Sequence, residues 1–213
     1  MKVIEFLEKY GLEIVQHTGE HLVLVGISTG LAILAGVPLG VLITRKSYLS
    51  PWILGFANVV QTIPSLALFG LLIPLPLVGG IGGNTAIAAL ILYALLPIVR
   101  NTYVGIINVD PAVREAGRGM GMTDWQLLVQ VELPLASSVI LGGIRVATVI
   151  AVGVATIAAA IGAGGLGSFI FRGVAVVDYQ LILAGAVPAA LMAIAADAAL
   201  AWLERSLQVG SRR

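Results

Sequence analysis

The sequence predicts an all-α, polytopic membrane protein, and three observations carry that reading. Of its 213 residues 59% are hydrophobic and only 11% charged, against about 45–50% and 25% in a soluble domain. The charges are gathered so that long charge-free runs lie between them. The apolarity is aliphatic, with 6% aromatics and 26 glycines. Such a chain cannot cover a soluble globule without large exposed apolar patches. A cytosolic enzyme, a nucleic-acid binder and a disordered chain are excluded, since each needs more charge. A net charge of +1 draws no acidic partner, and the absence of cysteine removes disulfides, thiolate metal sites and a cysteine nucleophile.

The charge-free runs place the elements in order, because an ionised group at the bilayer centre costs about 2.5–3.5 kcal/mol. Residues 1–19 hold Glu5, Glu8 and Glu13 with no basic segment ahead of an apolar core, so they are not a secretory signal. Ile4, Leu7 and Ile14 fall near one helical face, which predicts an amphipathic helix on the outer surface. Leu22 to Thr44 is one crossing at about 20 residues per helix. Ser47 to Val99 is two crossings, with Pro74, Pro76, Gly79, Gly80, Gly82 and Gly83 marking the turn. Val146 to Phe171 is broken near its end by Gly162, Gly164, Gly165 and Gly167, and Gln180 to Ala196 continues past Asp197 to Trp202. Five helices follow, over about 20–44, 52–73, 84–104, 136–161 and 179–204, with a sixth only if the glycine-broken stretch splits. The chain reads as one transmembrane unit over 1–213, with a loop at 105–135 and a tail at 205–213.

Five crossings put the termini on opposite sides. With the N-terminus outside, the inner segments hold Arg45, Lys46, Arg100, Arg114, Arg118, Arg205, Arg212 and Arg213. The outer segments then hold only Lys2, Lys9 and Arg172, and the positive-inside rule selects that orientation. Trp52, Trp125 and Trp202 fall at the inner boundary, where indoles anchor.

The inner loop is patterned to hold a shape. Asp110-Pro111 is a capped helix start, Gly121 a stop, and Thr123 to Gln126 a capping box. Two short helices about a glycine corner are expected, the second ending before Pro134. A stiff connector without a partner is the bland alternative. Within the loop, Glu115-Ala116-Gly117, three residues, Gly121, nine residues, then Val131, Glu132, Leu133 and Pro134 resemble the E-A-A-x3-G-x9-I-x-L-P motif of inner-membrane subunits of binding-protein-dependent ABC importers. Gly117 for Ala and Val131 for Ile depart from it; Gly117 is expected to loosen its helix slightly. The stretches 58–70 (NVVQTIPSLALFG), 95–106 (LLPIVRNTYVGI), 115–123 (EAGRGMGMT) and 162–173 (GAGGLGSFIFRG) resemble permeases of the glycine betaine/carnitine/choline type, and the likeness covers about 15–205.

The resemblance implies a type I importer permease in a bacterial or archaeal inner membrane, working by alternating access. It implies a second permease copy or paralogue, a cytoplasmic ATPase docked on Glu115, Ala116, Gly117, Gly121, Val131, Leu133 and Pro134, and an extracytoplasmic binding protein. ATP and Mg would sit on the ATPase, with no cofactor or metal in this chain. The residues agree: a P-loop needs Gly before its Lys, and Lys2, Lys9 and Lys46 lack it. Betaine, carnitine and choline stay equal as cargo; methionine or another amino acid is the nearest alternative. An ion-driven secondary transporter would need a membrane-centre carboxylate, and Asp197 lies near one edge. An intramembrane serine protease would need His17 or His21 as base, both outside the first span.

Inside the spans, Asn58, Gln61, Thr62 and Ser65 recur at i, i+3, i+4 and i+7 with Pro64 bending their helix. They form either interhelical glue or the lining of a watery path. Arg145 and Asp197 are expected to pair, because an aspartate is too short to snorkel far. Gly162, Gly164, Gly165 and Gly167 read as an outer hinge or gate, since the G-x-G-x-x-G they contain lacks a preceding strand. His17-x-x-Glu20-His21 spells an inverted zinc-peptidase pattern but has no evident further ligand, so an interfacial helix is the simpler account. Gly26-x3-Gly30 and Gly36-x3-Gly40 are candidate close-packing faces.

Overall fold

A computed structural model describes residues 3–76 and 78–208, and every regular element among them is helical. Lys2, Arg212 and Arg213 of the charge count lie outside the described residues, as do the end of the tail and the side chains of Ile4, Glu5 and Leu7. The first helix, α1 (Val3–Arg45), is continuous over 43 residues. At 1.5 Å per residue it is about 65 Å long, twice the hydrocarbon thickness. Residues 3–19 therefore continue the first span rather than forming a separate surface helix, because Gly19 has no cap or proline beside it to stop the helix. Of the expected face only the Ile14 side chain is described, and it joins Phe6 and Tyr10 in packing on Phe169, Leu181 and Ala184.

The second span is broken, not bent. Helices α2 (Ser50–Thr62) and α3 (Ser65–Leu72) meet at 106° across Ile63 and Pro64. Pro64 lacks an N–H and drives the residue before it out of the helical region, and Ile63 is extended at φ −71° and ψ 129°. The Ile63 carbonyl then accepts from the Tyr93 hydroxyl of α4 (Gly83–Ile107). The turn before α4 is held by the Thr85 hydroxyl, which donates to Gly80 O at 2.6 Å.

After α4 come the two short helices α5 (Pro111–Gly119) and α6 (Asp124–Leu127). The expected stop before Pro134 does not occur. A π turn at Leu128–Glu132 joins α6 to α7 (Leu133–Ala158), and Asp124–Ile161 is one rod. The π turn slips the pairing, with Leu133 N–H bonded to Leu128 O, so Pro134 falls in the first turn of α7 where its missing N–H costs little. Beyond the glycine loop, α8 (Gly167–Val176) has ten residues, too few to cross, and α9 (Tyr179–Gln208) returns along the bundle. Among the described residues four helices are long and apolar enough to span, or five with the broken pair taken as one.

The core is a row in which α1 packs on α4, α4 on α7, α7 on α9, and α8 folds back on α9. Phe69, Leu90, Tyr93 and Ala155 centre one apolar cluster, and Ile98, Ile106, Ile140 and Ala147 another nearer the loop. Small residues set the spacing at two contacts. A Cβ at Gly40 would lie 2.5 Å from Thr102 Cβ, and one at Gly143 would lie 2.7 Å from the Pro97 carbonyl oxygen. Thus Gly36-x3-Gly40 is a packing face against α4, while Gly26 and Gly30 face open space.

Candidate functional site

The loop between α4 and α7 is shaped by its own sequence. The Asp110 carboxylate accepts from Ala112 N–H at 2.8 Å, and Pro111 opens α5 at a position that needs no donor. Gly121 turns the corner at φ +81°, a left-handed backbone that other residues adopt at a cost. Thr123 and Gln126 then close a reciprocal capping box, at 2.8 Å and 3.3 Å. Gly117 does not loosen α5. A Cβ there would lie 2.8 Å from Leu127 Cδ1, so the glycine lets α5 seat directly on the wholly buried Leu127 of α6. Glu115, Ala116, Gly121 and Pro134 are exposed, whereas Val131 and Leu133 are half-buried. Met120 and Trp125, on the same loop as Glu115, are 75% and 71% exposed.

Beneath the loop lies a cluster that sequence reasoning missed. Glu132 is wholly buried, and it is flanked by Arg45 from the end of α1 and Arg114 from α5. A carboxylate in an apolar stretch needs a cation, but nothing local in the sequence says that it is buried or which arginines face it. A second cluster lies on α7 and α9. Arg145 Nε is 2.9 Å from Asp197 Oδ1, and its Nη1 is 3.2 Å from Glu204 Oε2. Glu204 follows Asp197 by seven residues on the same helical face, a spacing that could have revealed it.

The break in the second span separates the polar residues. Asn58, Gln61 and Thr62 belong to α2, whereas Ser65 begins α3, so the four do not form one continuous helical stripe. Asn58 and Thr62 are exposed on the isolated chain; Gln61 and Ser65 are half-buried. The Thr62 hydroxyl donates to Val59 O at 2.7 Å. Against the first half of α2, away from the break, α1, α2 and α4 border an open apolar cavity of about 260 Å³, lined by Leu39, Trp52, Phe56 and Leu95 among others.

At the end of the bundle away from the loop, Gly162, Gly164 and Gly165 all take left-handed backbone, at φ between 74° and 78°. Glu20 reaches into this turn and its Oε2 accepts from Gly165 N–H at 2.9 Å. The His17 ring nitrogen Nδ1 lies 2.8 Å from the same oxygen. His21 turns away into the core with Nε2 3.1 Å from Val152 O, so the two histidines do not converge on one point. Gly167 is packed hard, since a Cβ there would meet the Thr156 carbonyl oxygen at 1.9 Å. Arg172 bonds Glu13 at 2.8 Å and lies over the Phe169 ring, tying α8 to α1.

Known proteins share both the sequence and the shape. Residues 32–209 match the family described as "Binding-protein-dependent transport system inner membrane component". The osmoprotectant import permease protein OsmW of Salmonella typhimurium is 53% identical, over 90% of this chain and 88% of that protein. The glycine betaine/carnitine/choline transport system permease protein OpuCD of Bacillus subtilis is 48% identical, over 97% and 91%. Among solved structures, inward-facing conformations of the MetNI methionine ABC transporter superpose with a TM-score of 0.82 at 23% identity, covering 97% of this chain and 99% of that one. At that identity the likeness is one of fold.

Proposed function

Since the chain belongs to the family of binding-protein-dependent transport system inner-membrane components, we propose that it forms half of the membrane path of an ATP-driven osmoprotectant importer. The cargo is a quaternary amine such as glycine betaine, carnitine or choline. OpuCD is named for these three solutes and OsmW for osmoprotectants, and their likeness spans nearly the whole chain. A second copy or a paralogue completes the path, and a binding protein delivers the solute from outside. ATP and Mg are held by a separate cytoplasmic ATPase. The N-terminus lies outside, in keeping with the excess of Lys and Arg at the loop end.

The observation that carries the mechanism is the build of the loop. Two capped helices fixed against each other present Glu115 and Ala116 outward, with Met120 and Trp125 exposed on the same loop. A rigid apolar and acidic face of this kind suits a cleft on an ATPase. Moving a two-state gate from 1:99 to 99:1 takes about 5.5 kcal/mol, and a floppy loop would absorb that energy. The solute passes the break between α2 and α3, where Asn58, Gln61, Thr62 and Ser65 offer weak polar contacts. The glycines at 162–167 yield as the outer gate. Reconstitution of this chain with its ATPase and binding protein tests the reading. Labelled glycine betaine, carnitine or choline should enter vesicles only with ATP; uptake of methionine in their place would transfer the machine to another cargo.

A further inference from the structure

We propose that Glu132 is a positioning residue that pins the end of α1 to α5, so that a displacement imposed on the loop passes into α1 as well as α7. The inference rests on the reading of the loop as the ATPase dock. Glu132 has no exposed surface, and it sits where the π turn passes into α7. Two cations meet it from different elements. Arg45, in the last turn of α1, donates to Glu132 Oε1 through Nη1 at 3.3 Å and to Oε2 through Nη2. Arg114, on α5, places Nε 3.3 Å from Oε1. Arg114 also donates through Nη2 to the Ile106 carbonyl at the end of α4. One buried carboxylate at the foot of α7 therefore joins α1 and α5, and Arg114 extends the junction to the end of α4.

Chemistry makes this junction resist separation. A carboxylate with no solvent cannot release its cations without leaving an unpaired charge in apolar surroundings. Arg45 holds it directionally through two N–H groups, as a single flexible ammonium would not, and Arg114 adds a second charge 3.3 Å away. The loop, the π turn and the foot of α1 consequently move as one body. The far half of α1 carries Glu20, whose carboxylate bonds the glycine turn at Gly165. A continuous helix thus runs from the pin to that turn, and α1 acts as a push rod between them.

The test uses the complete transporter in vesicles, with glycine betaine, carnitine and choline as cargo and cysteine-free partners. Glu132→Gln should leave the ATPase bound and ATP hydrolysis measurable, while solute moved per ATP falls at least tenfold. That ratio does not move when a variant merely lowers the amount of folded complex. Arg45→Gln, which leaves Glu132 paired with Arg114, should lower the ratio at least threefold, and it carries the test alone if Glu132→Gln fails to assemble. Because the chain has no cysteine of its own, Arg45→Cys with Glu132→Cys can be bridged by a cleavable bis-thiosulfonate reagent. Bridging should restore coupling and reductant should abolish it again. An unchanged ratio in Arg45→Gln overturns the pin. Gly121→Val, measured alongside, separates the two ideas: if it uncouples while Arg45→Gln does not, only the pin falls, and if neither uncouples, the dock falls with it.

Discussion

The two ends of the molecule each turn the chain on left-handed glycine, but they are fixed in opposite ways. At the loop end the bonds that cap α5 and α6 and turn the corner between them span two to five residues: Asp110 to Ala112, Thr123 to Gln126, Gly117 to Met122. At the glycine end Gly162, Gly164 and Gly165 are left-handed, and Gly162 and Ala163 N–H bond back to Ala159 and Ala158. The one side chain that bonds the turn among the described residues is Glu20, 145 positions away. Local bonds form cheaply and stay formed, because little chain entropy is lost in closing them. A turn whose one side-chain bond comes from a distant carboxylate can be loosened by a shift of the helix that carries it. The first construction makes a lever, the second a latch.

The largest expected effect follows from breaking the lever. Gly121→Val places a β-branched residue at φ +81°, a strain of about 1–3 kcal/mol that the corner relieves by rotating α5 away from α6. Transport should fall at least tenfold and binding-protein-stimulated ATP hydrolysis should be lost, with the subunit still inserted in the membrane. Normal uptake and stimulation in this variant would mean that the corner is not part of the lever.

A smaller effect is expected between the two ends, at the break of the second span. Gln61→Leu should lower uptake by about three- to tenfold without loss of assembly, since it removes polar contacts worth about 0.5–1.5 kcal/mol each to a passing zwitterion. Cysteines at Asn58, Gln61, Thr62 and Ser65 should react with water-soluble thiol reagents, and trapping nucleotide should change the rates. A cysteine at the buried Val60 should not react. Protection of all four would assign these residues to interhelical packing and move the path elsewhere.

The same contrast between near and distant bonds decides what could be read from the sequence. Membrane spans, the caps at Asp110 and Thr123 and the corner at Gly121 were legible, because hydrophobic runs and caps are written within a few neighbouring residues. The pairing of Arg145 with Asp197 was reachable by elimination, but Glu204 was not included in it. The continuity of α1 is not written locally, because an apolar face such as that of Phe6, Tyr10 and Ile14 has the same pattern whether it meets lipid or α8 and α9. The depth of the break at Pro64 was underestimated: the acceptor that makes a full break tolerable is Tyr93, thirty residues on. The burial of Glu132 between Arg45 and Arg114 depends on three separate elements, and no local pattern announces it.

An intermediate effect, on stability rather than transport, is expected along α7 and α9. Arg145 is shared by Asp197 and Glu204, so Asp197→Asn should cost less than Arg145→Gln, which takes the cation from Asp197 and one contact from Glu204. The Arg145–Asp197 coupling energy should be about 1 kcal/mol in a double-mutant cycle read as thermal stability in detergent. Additive single changes would show that the contact, about a third to a half exposed in the isolated chain, carries no energy of its own.

The smallest expected change in stability, and the sharpest probe of the latch, is Glu20→Ala. The substitution removes the acceptor for Gly165 N–H and the partner of His17, but it leaves α1 helical and its packing on α8 intact, since Phe6, Tyr10 and Arg172 stay in place. One charge-assisted hydrogen bond at a partly exposed site contributes about 1 kcal/mol, so the melting temperature in detergent should drop by only a few degrees. The glycine turn itself should respond far more. Amide exchange across 162–167 should rise severalfold, because no other side chain bonds its N–H groups among the described residues, whereas exchange across 110–127 should not change. Uptake should then become leaky to solute in the absence of ATP if the turn closes the outer gate. Unaltered exchange at 162–167 would show that the turn is stiff without its distant carboxylate, and the contrast between lever and latch would dissolve into two rigid ends.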